Sequence, residues 1–305
     1  MSQASGRSVR SMLFVPGSRP DMMAKAAATP ADAVCLDLED SVTPDDKPAS
    51  RGRVVQALRE LDFGARMRLV RINGLDTPFA YRDLVEVVEG AGAQIDAVMV
   101  PKVGAARDVW FVDTLLSQLE AHTGRTSPIG IEAQIESASG YVELKEIAAA
   151  APRLRSLIFG PGDFAASMRM PSTGIGEFDA NDELYPGHRW HAVMLGIVAA
   201  ARANGLRAVD GPYGQYKDAA GFERSCRIAR ALGFDCKQCI HPSQLATTNA
   251  VFSPSADEVA YATAVVQAVN QAAAAGKGAA VHAGKMIDAA SLRMAQTILD
   301  RVERQ

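Results

Sequence analysis

Short apolar, β-branched runs recur along the chain, and each ends in a cluster of glycine, polar or charged residues. They are Met12-Leu-Phe-Val-Pro-Gly17, Ala33-Val-Cys-Leu-Asp-Leu-Glu-Asp40, Leu69-Val-Arg-Ile-Asn73, Ala97-Val-Met-Val-Pro-Lys102, Ile129-Gly-Ile-Glu-Ala-Gln-Ile-Glu136, Leu157-Ile-Phe-Gly-Pro-Gly-Asp163, Leu206-Arg-Ala-Val-Asp-Gly211 and Lys237-Gln-Cys-Ile-His-Pro242. Amphipathic or alanine-rich stretches long enough for crossover helices separate them, the alternation that a parallel sheet requires. Eight such units predict an α/β fold, a closed (β/α)8 TIM barrel over residues 1–250. The carboxyl ends of all eight strands then converge on one face, so residues scattered from Arg19 to His241 would meet there.

The pattern changes after the eighth run. Ser255-Ala-Asp-Glu258 is a capping box, and Val259, Ala262, Val266 and Val269 mark one face of the helix it opens. A Gly/Ala-rich link containing Lys277 and His282 follows. Gly284-Lys-Met-Ile-Asp288 is read as opening a last helix, with Ile287, Ala290, Met294 and Ile298 along its apolar stripe. A barrel of eight strands is already closed and leaves this tail no sheet to join. Residues 251–305 are therefore expected as a C-terminal helical extension that packs outside the barrel or on a neighbouring subunit.

Composition narrows the picture. With 305 residues and 48% hydrophobic content, the chain can bury one large barrel core plus an appendage. No apolar run approaches the roughly 18 residues of a membrane span. Met1-Ser-Gln-Ala-Ser-Gly-Arg7 lacks the apolar core of a secretory signal, so the expected location is the cytoplasm and no membrane partner is foreseen. A formal net charge of −3 gives no reason to expect nucleic acid. Cys35, Cys226, Cys236 and Cys239 read as small buried hydrophobes, because Cys236-Lys-Gln-Cys239 lies inside a strand, where residues three apart face opposite ways.

The strand ends carry the candidate chemistry. Glu136 and Asp163 end consecutive strands, which suits a hard cation such as Mg2+ that takes one or two carboxylates and keeps positions for water and substrate. The plain alternative is two solvated acids, against which stand the glycines around Asp163 that allow a ligand close to the backbone. Glu132 shares the strand face of Glu136 but should lie deeper in the barrel. Arg71 offers a forked donor for a carboxylate or thioester oxygen. Asp37 and Glu39 face one side and would fix Arg71 and the waters of a cation. Gly17-Ser-Arg-Pro-Asp-Met-Met-Ala-Lys25 suits a phosphate-bearing ligand, although a plain helix start would look similar. Asp288 reads first as a helix-dipole partner.

These motifs together, with Val15-Pro-Gly-Ser-Arg19, Leu36-Asp-Leu-Glu-Asp40, Val70-Arg-Ile-Asn-Gly-Leu-Asp-Thr77, Val100-Pro-Lys-Val103, Gly162-Asp-Phe-Ala-Ala-Ser167, Val209-Asp-Gly-Pro212, Ile240-His-Pro-Ser243 and Met286-Ile-Asp288, resemble the HpcH/HpaI aldolase and citrate lyase β-subunit-like family. The likeness is greatest to its malyl-CoA lyases and runs in order from about residue 10 to 303. It implies a Mg2+-dependent lyase (Mn2+ being possible) that cleaves a β-hydroxyacyl-CoA into an acyl-CoA and a 2-oxoacid, or condenses them. By position, Glu136 and Asp163 look like the metal ligands and Arg71 like the residue holding the reacting acyl oxygen. Phe14, Arg19 and Lys25 match family CoA contacts, and Gly162, Ile240 and His241 match substrate-lining positions. Asp288 matches an acid delivered into the adjacent subunit's site, which makes it the candidate base and implies a homo-oligomer, a trimer or hexamer.

The segment Gly176-Glu-Phe-Asp-Ala-Asn-Asp-Glu-Leu-Tyr-Pro-Gly-His-Arg-Trp-His191 is shorter than the corresponding insertion of malyl-CoA lyases, and Cys236 stands where relatives often carry glycine. The 2-oxoacid, glyoxylate or pyruvate, and the acyl group, acetyl or propionyl, stay open. So do two other activities of the same fold: a malyl-CoA thioesterase, and a citrate lyase β-subunit that works only in a multi-subunit complex.

Overall fold

The computed structural model describes residues 8–172, 174–184 and 189–303. The N-terminal heptapeptide and the centre of the 176–191 segment thus lie outside the described residues. Among the described residues no helix is long and apolar enough to cross a membrane. The chain separates into two compact units, one built on Val9–Asn249 and one that begins at Ala250.

The first unit is a closed parallel barrel in sequential order: β1 (Ser11–Pro16), β2 (Ala33–Asp37), β3 (Met67–Arg71), β4 (Ala97–Val100), β5 (Gly130–Ile135), β6 (Leu154–Phe159), β7 (Arg207–Asp210) and β8 (Cys236–Cys239). β1 closes the ring against β8, with Met12 opposite Gln238. Each apolar run ends within a few residues of where the alternation places it, because a strand buried on both faces needs continuous apolar sequence. The interior is filled by alternate residues, among them Met12, Cys35, Leu69, Met99, Ile158, Val209 and Cys236. Below them Glu132, fully buried, is paired with Arg207 and accepts from the Ser156 hydroxyl. A carboxylate neutralised in this way belongs to the barrel floor rather than its reactive rim.

The crossover helices are α1 (Pro20–Ala27), α2 (Lys47–Glu60), α3 (Ala80–Ala91), α4 (Ala106–Thr123), α5 (Ala138–Val142), α6 (Leu144–Ala148), α7 (Pro161–Ser167), α8 (Ala180–Leu184), α9 (His191–Ala203) and α10 (Ala219–Leu232), with α11 (Leu245–Phe252) after β8. Local chemistry starts them where they begin: Ser137 Oγ accepts from Gly140 N at 3.0 Å, and Asp218 Oδ1 from Gly221 N at 3.0 Å. Pro161 at the first position of α7 has no N–H to leave unpaired.

The second unit packs α12 (Ala256–Ala274) with α13 (Ala289–Glu303) and a two-stranded antiparallel sheet, β9 (Ala280–His282) and β10 (Lys285–Ile287). Its small core holds Ala262, Val265, Val269, Ile287 and Ala295. The Ser255–Glu258 capping box forms as read, with Ser255 N donating to Glu258 Oε2 at 2.8 Å and Glu258 N to Ser255 Oγ at 3.2 Å. Two readings of the tail need correction. The Gly/Ala-rich link is a hairpin turned by Ala283 and Gly284, both with positive φ (48° and 74°), the backbone that a two-residue hairpin loop demands. The last helix begins after Asp288, so Ile287 packs as read but from a strand; Ile298 also packs as read, while Ala290 and Met294 (64%) are exposed and Leu292, Ala295 and Leu299 complete the packed stripe.

Candidate active site

The carboxyl ends of the strands enclose a cavity of about 370 Å3. Phe14, Asp37, Arg71, Glu136, Gly162, Asp163 and Ile240 all line it, together with Gln134, Gly160, Ile175 and Gln238. Their side chains converge because β3, β5, β6 and β8 all end at this rim.

Arg71 is fixed before any ligand arrives. Its Nε and Nη2 donate to the two carboxylate oxygens of Asp37 at 2.6 and 2.7 Å, a bidentate pair. Its Nη1 lies 2.9 Å from Glu39 Oε2, yet that oxygen accepts no well-aligned hydrogen bond, so this contact is an ion pair. The guanidinium carbon sits 5.1 Å from the centre of the Phe14 ring. Burial works against the charge, but Asp37 and Glu39 outweigh it and hold the Arg71 pKa above its ordinary value. Asp37 is desolvated too, and Arg71 with Ser41 nonetheless keeps its pKa below the usual carboxylate range. Two of five guanidinium N–H groups go to Asp37, leaving others for a ligand. The carbonyls of Leu38 and Glu39 are held by the buried ammonium of Lys47 at 2.9 and 2.8 Å.

Glu136 is 2% exposed. Its Oε1 accepts from the Lys102 backbone N–H at 2.7 Å and its Oε2 from Gln134 Nε2 at 2.6 Å. Burial, then the charges of Glu39 and Asp163, push its carboxyl up to about 8. Asp163 stands in the first turn of α7, exposed to the cavity. Gln134 Oε1 is buried without a hydrogen-bond partner. Among the described residues no three His, Cys, Asp or Glu side chains form a closed metal cage. The oxygen donors gathered here, the Glu136 and Asp163 carboxylates with the unpartnered Gln134 Oε1, fit a hard cation that completes its shell with water or substrate.

Other expected residues lie elsewhere. Glu39 is 4% exposed, between Arg71 and Lys102, whose Nζ donates to Glu39 Oε1 at 2.7 Å. Arg19 is exposed and donates to Asp21, both bonds at 3.1 Å, and Lys25 is exposed one turn on. His241 stacks on Tyr216 with ring centres 4.6 Å apart and accepts at Nδ1 from Ser243 N. Asp288 belongs to the second unit, where its Oδ1 caps α13 by accepting from Ala290 N at 2.9 Å and Ser291 N at 3.2 Å. The motif reading gave no role to Gln134, Gln238 or Lys102, and read Gly160 only as room for a ligand beside Asp163. Gln134 was reachable, since it lies two residues before Glu136 on the same strand face.

A family model, HpcH/HpaI aldolase/citrate lyase, matches residues 10–242. The chain is 47% identical over 300 residues to an L-malyl-CoA/β-methylmalyl-CoA lyase of Cereibacter sphaeroides (strain ATCC 17025 / ATH 2.4.3), covering 96% of this chain and 94% of that protein. It is 36% identical over 295 residues to a (3S)-malyl-CoA thioesterase of Cereibacter sphaeroides (strain ATCC 17029 / ATH 2.4.9), covering 96% and 94%. Its fold matches the crystal structure of CitE from Mycobacterium tuberculosis in complex with magnesium, acetoacetate and coenzyme A, with a TM-score of 0.77 and 32% identity over 98% of this chain and 99% of that one. With a family model across most of its length and relatives this similar end to end, the chain belongs to the HpcH/HpaI aldolase/citrate lyase family.

Proposed function

We propose that this protein is a divalent-cation-dependent carbon-carbon lyase for CoA esters of the malyl-CoA type, releasing an acyl-CoA and a 2-oxoacid and running the condensation in reverse. One observation carries the reading: Glu136, buried and held by the Lys102 N–H and Gln134, lines the strand-end cavity with Asp163, and burial first, then the charges of Glu39 and Asp163, oppose its ionisation. Glu136 and Asp163 would hold a dication, whose charge would favour the ionised form of Glu136, and the all-oxygen donor set favours Mg2+, with Mn2+ the nearest substitute. The similarity to malyl-CoA lyases and to a protein solved with magnesium and coenzyme A supports the same choice.

The residues divide the work. Bound Mg2+ would supply Lewis-acid polarisation of the 2-oxoacid portion. In cleavage a base removes the proton of the β-hydroxyl, the carbon-carbon bond breaks, and its electron pair moves to the thioester as an enolate that is then protonated. Arg71, held by Asp37 and Glu39, donates to that developing oxyanion without having to reorganise. Phe14, Gly162 and Ile240 line the cavity that would take the acyl group, and Asp163 would share the cation with Glu136. Arg19 and Lys25 receive the CoA phosphates, and His241 shapes the entrance.

Asp288 is the base, carried by the second unit into the site of a neighbouring subunit of a homotrimer or homohexamer. Hydrogen bonds from the Ser291 and Ala290 N–H groups hold its pKa below the ordinary value, so it stands ionised. Its Oδ2 remains outside the capping bonds and can face a substrate.

The test is mass spectrometry of products after incubation with Mg2+ and malyl-CoA or citramalyl-CoA. Acetyl-CoA with glyoxylate or pyruvate is expected. Malate or citramalate with free CoA would instead identify a thioesterase, the activity named for one relative.

A further inference from the structure

We propose that Lys102 is a positioning residue for this reaction, setting Glu136 with its backbone and Glu39 with its side chain; the proposal rests on the reading of Glu136 as a cation-holding carboxylate. β4 ends at Val100, and Pro101 leads into Lys102, which adopts φ 54°. That left-handed backbone is uncommon for a residue with a Cβ, and such outliers persist where surrounding contacts hold them. Here two contacts do. The Lys102 N–H points at Glu136 Oε1 at 2.7 Å, and the next residue closes the turn with Val103 N donating to the Gln134 carbonyl at 3.2 Å. The Lys102 ammonium reaches Glu39 Oε1 at 2.7 Å and lies 3.6 Å from Asp40. The other oxygen of Glu39 faces Arg71. One residue therefore touches the candidate cation ligand on β5 directly and the oxyanion donor on β3 through one carboxylate.

A turn that needed only this backbone would favour glycine, which adopts positive φ without strain. Lysine in its place implies that the ammonium has a task of its own. Substitutions separate the two tasks. Lys102→Gly and Lys102→Val both lose the ammonium, but only valine resists the left-handed backbone. Lys102→Leu, which is not β-branched, replaces the valine variant if that one does not fold.

Isothermal titration with Mg2+ alone reads the backbone role. Lys102→Gly should bind Mg2+ within about twofold of wild type, and Lys102→Val about tenfold more weakly, because the N–H leaves Glu136. Steady-state kinetics at saturating Mg2+ read the side-chain role. In Lys102→Gly, kcat should fall by about tenfold while KM for the CoA ester moves by less than about threefold, and Lys102→Arg should recover much of the loss. Equal Mg2+ affinity in the glycine and valine variants would overturn the backbone role, and a kcat within about twofold of wild type in the glycine variant would overturn the side-chain role. Wild-type protein that binds no Mg2+ would overturn the lyase reading itself and this proposal with it.

Discussion

A Cβ placed on Gly160 would lie 2.6 Å from Glu136 Cβ and would also strike Glu136 Oε2, so the bare backbone at the end of β6 is what gives the Glu136 side chain its place in the cavity. Gly160 has φ −108°, a conformation that alanine adopts freely, so substitution here is a purely steric probe. Gly160→Ala should cost about 1–3 kcal/mol of stability by overpacking and displace Glu136 enough to weaken Mg2+ binding by about tenfold or more. Thermal unfolding and calorimetric titration check both parts. A variant that binds Mg2+ normally would mean that Glu136 can move aside without consequence for the cation.

Much of this arrangement was legible in the chain, and the misses have physical causes. Eight strands and their functional ends could be read because a parallel strand buried on both faces leaves a continuous apolar run. The hairpin of the second unit was not legible, because its strands are only three residues long and Ala283, not an expected turn residue, takes a left-handed position. Asp288 was placed one step too far into its helix for the same reason, since Gly284 marks the hairpin turn rather than a helix start. Lys102 stands in a quoted motif, but no periodicity reveals a positive φ. The Arg71–Asp37 bond joins neighbouring strands, and facing positions alone suggested it without fixing its bidentate geometry.

Arg71→Lys should lower kcat by about two orders of magnitude, the usual loss for an oxyanion donor. A lysine ammonium cannot donate in parallel to both oxygens of Asp37 and still present a planar fork to the substrate. Asp37 is 1% exposed, so its incomplete pairing should also reduce thermal stability. Kinetics and an unfolding curve for this variant are sufficient; unaltered turnover would remove Arg71 from the reacting centre.

The raised pKa of Glu136 carries a pH dependence with a definite sign. Between its ordinary value of 4.5 and about 8, the folded cation-free protein retains a proton that the unfolded chain has released. The contribution of Glu136 to stability is therefore greatest below about 4.5, declines as pH rises through that interval, and is level above it. Mg2+ requires the ionised form, so its affinity should climb with pH up to about 8 and then level off. Titrations near pH 6.5 in buffers of different ionisation enthalpy should show about one proton released per Mg2+ bound. Binding without proton release would assign the cation to groups already ionised.

Asp288 makes the strongest demand on assembly. The barrel closes without the second unit, and Asp288 belongs to that unit, which has a small core of its own. A low pKa makes Asp288 a weak base as a helix cap, and burial beside a substrate in another subunit would raise it toward useful strength. Asp288→Asn should abolish cleavage while leaving Mg2+ and CoA binding close to wild type, since Asp288 is proposed as the base and not as a cation ligand or a CoA contact. Glu136→Ala should abolish cleavage by the opposite route, by losing the cation. Mixing the two inactive proteins under conditions that exchange subunits should restore part of the activity, because some neighbouring pairs then combine an intact cation site with an intact Asp288. Exchange verified by mass spectrometry without any recovery would place Asp288 in the service of its own chain, and the site would be complete in a single subunit.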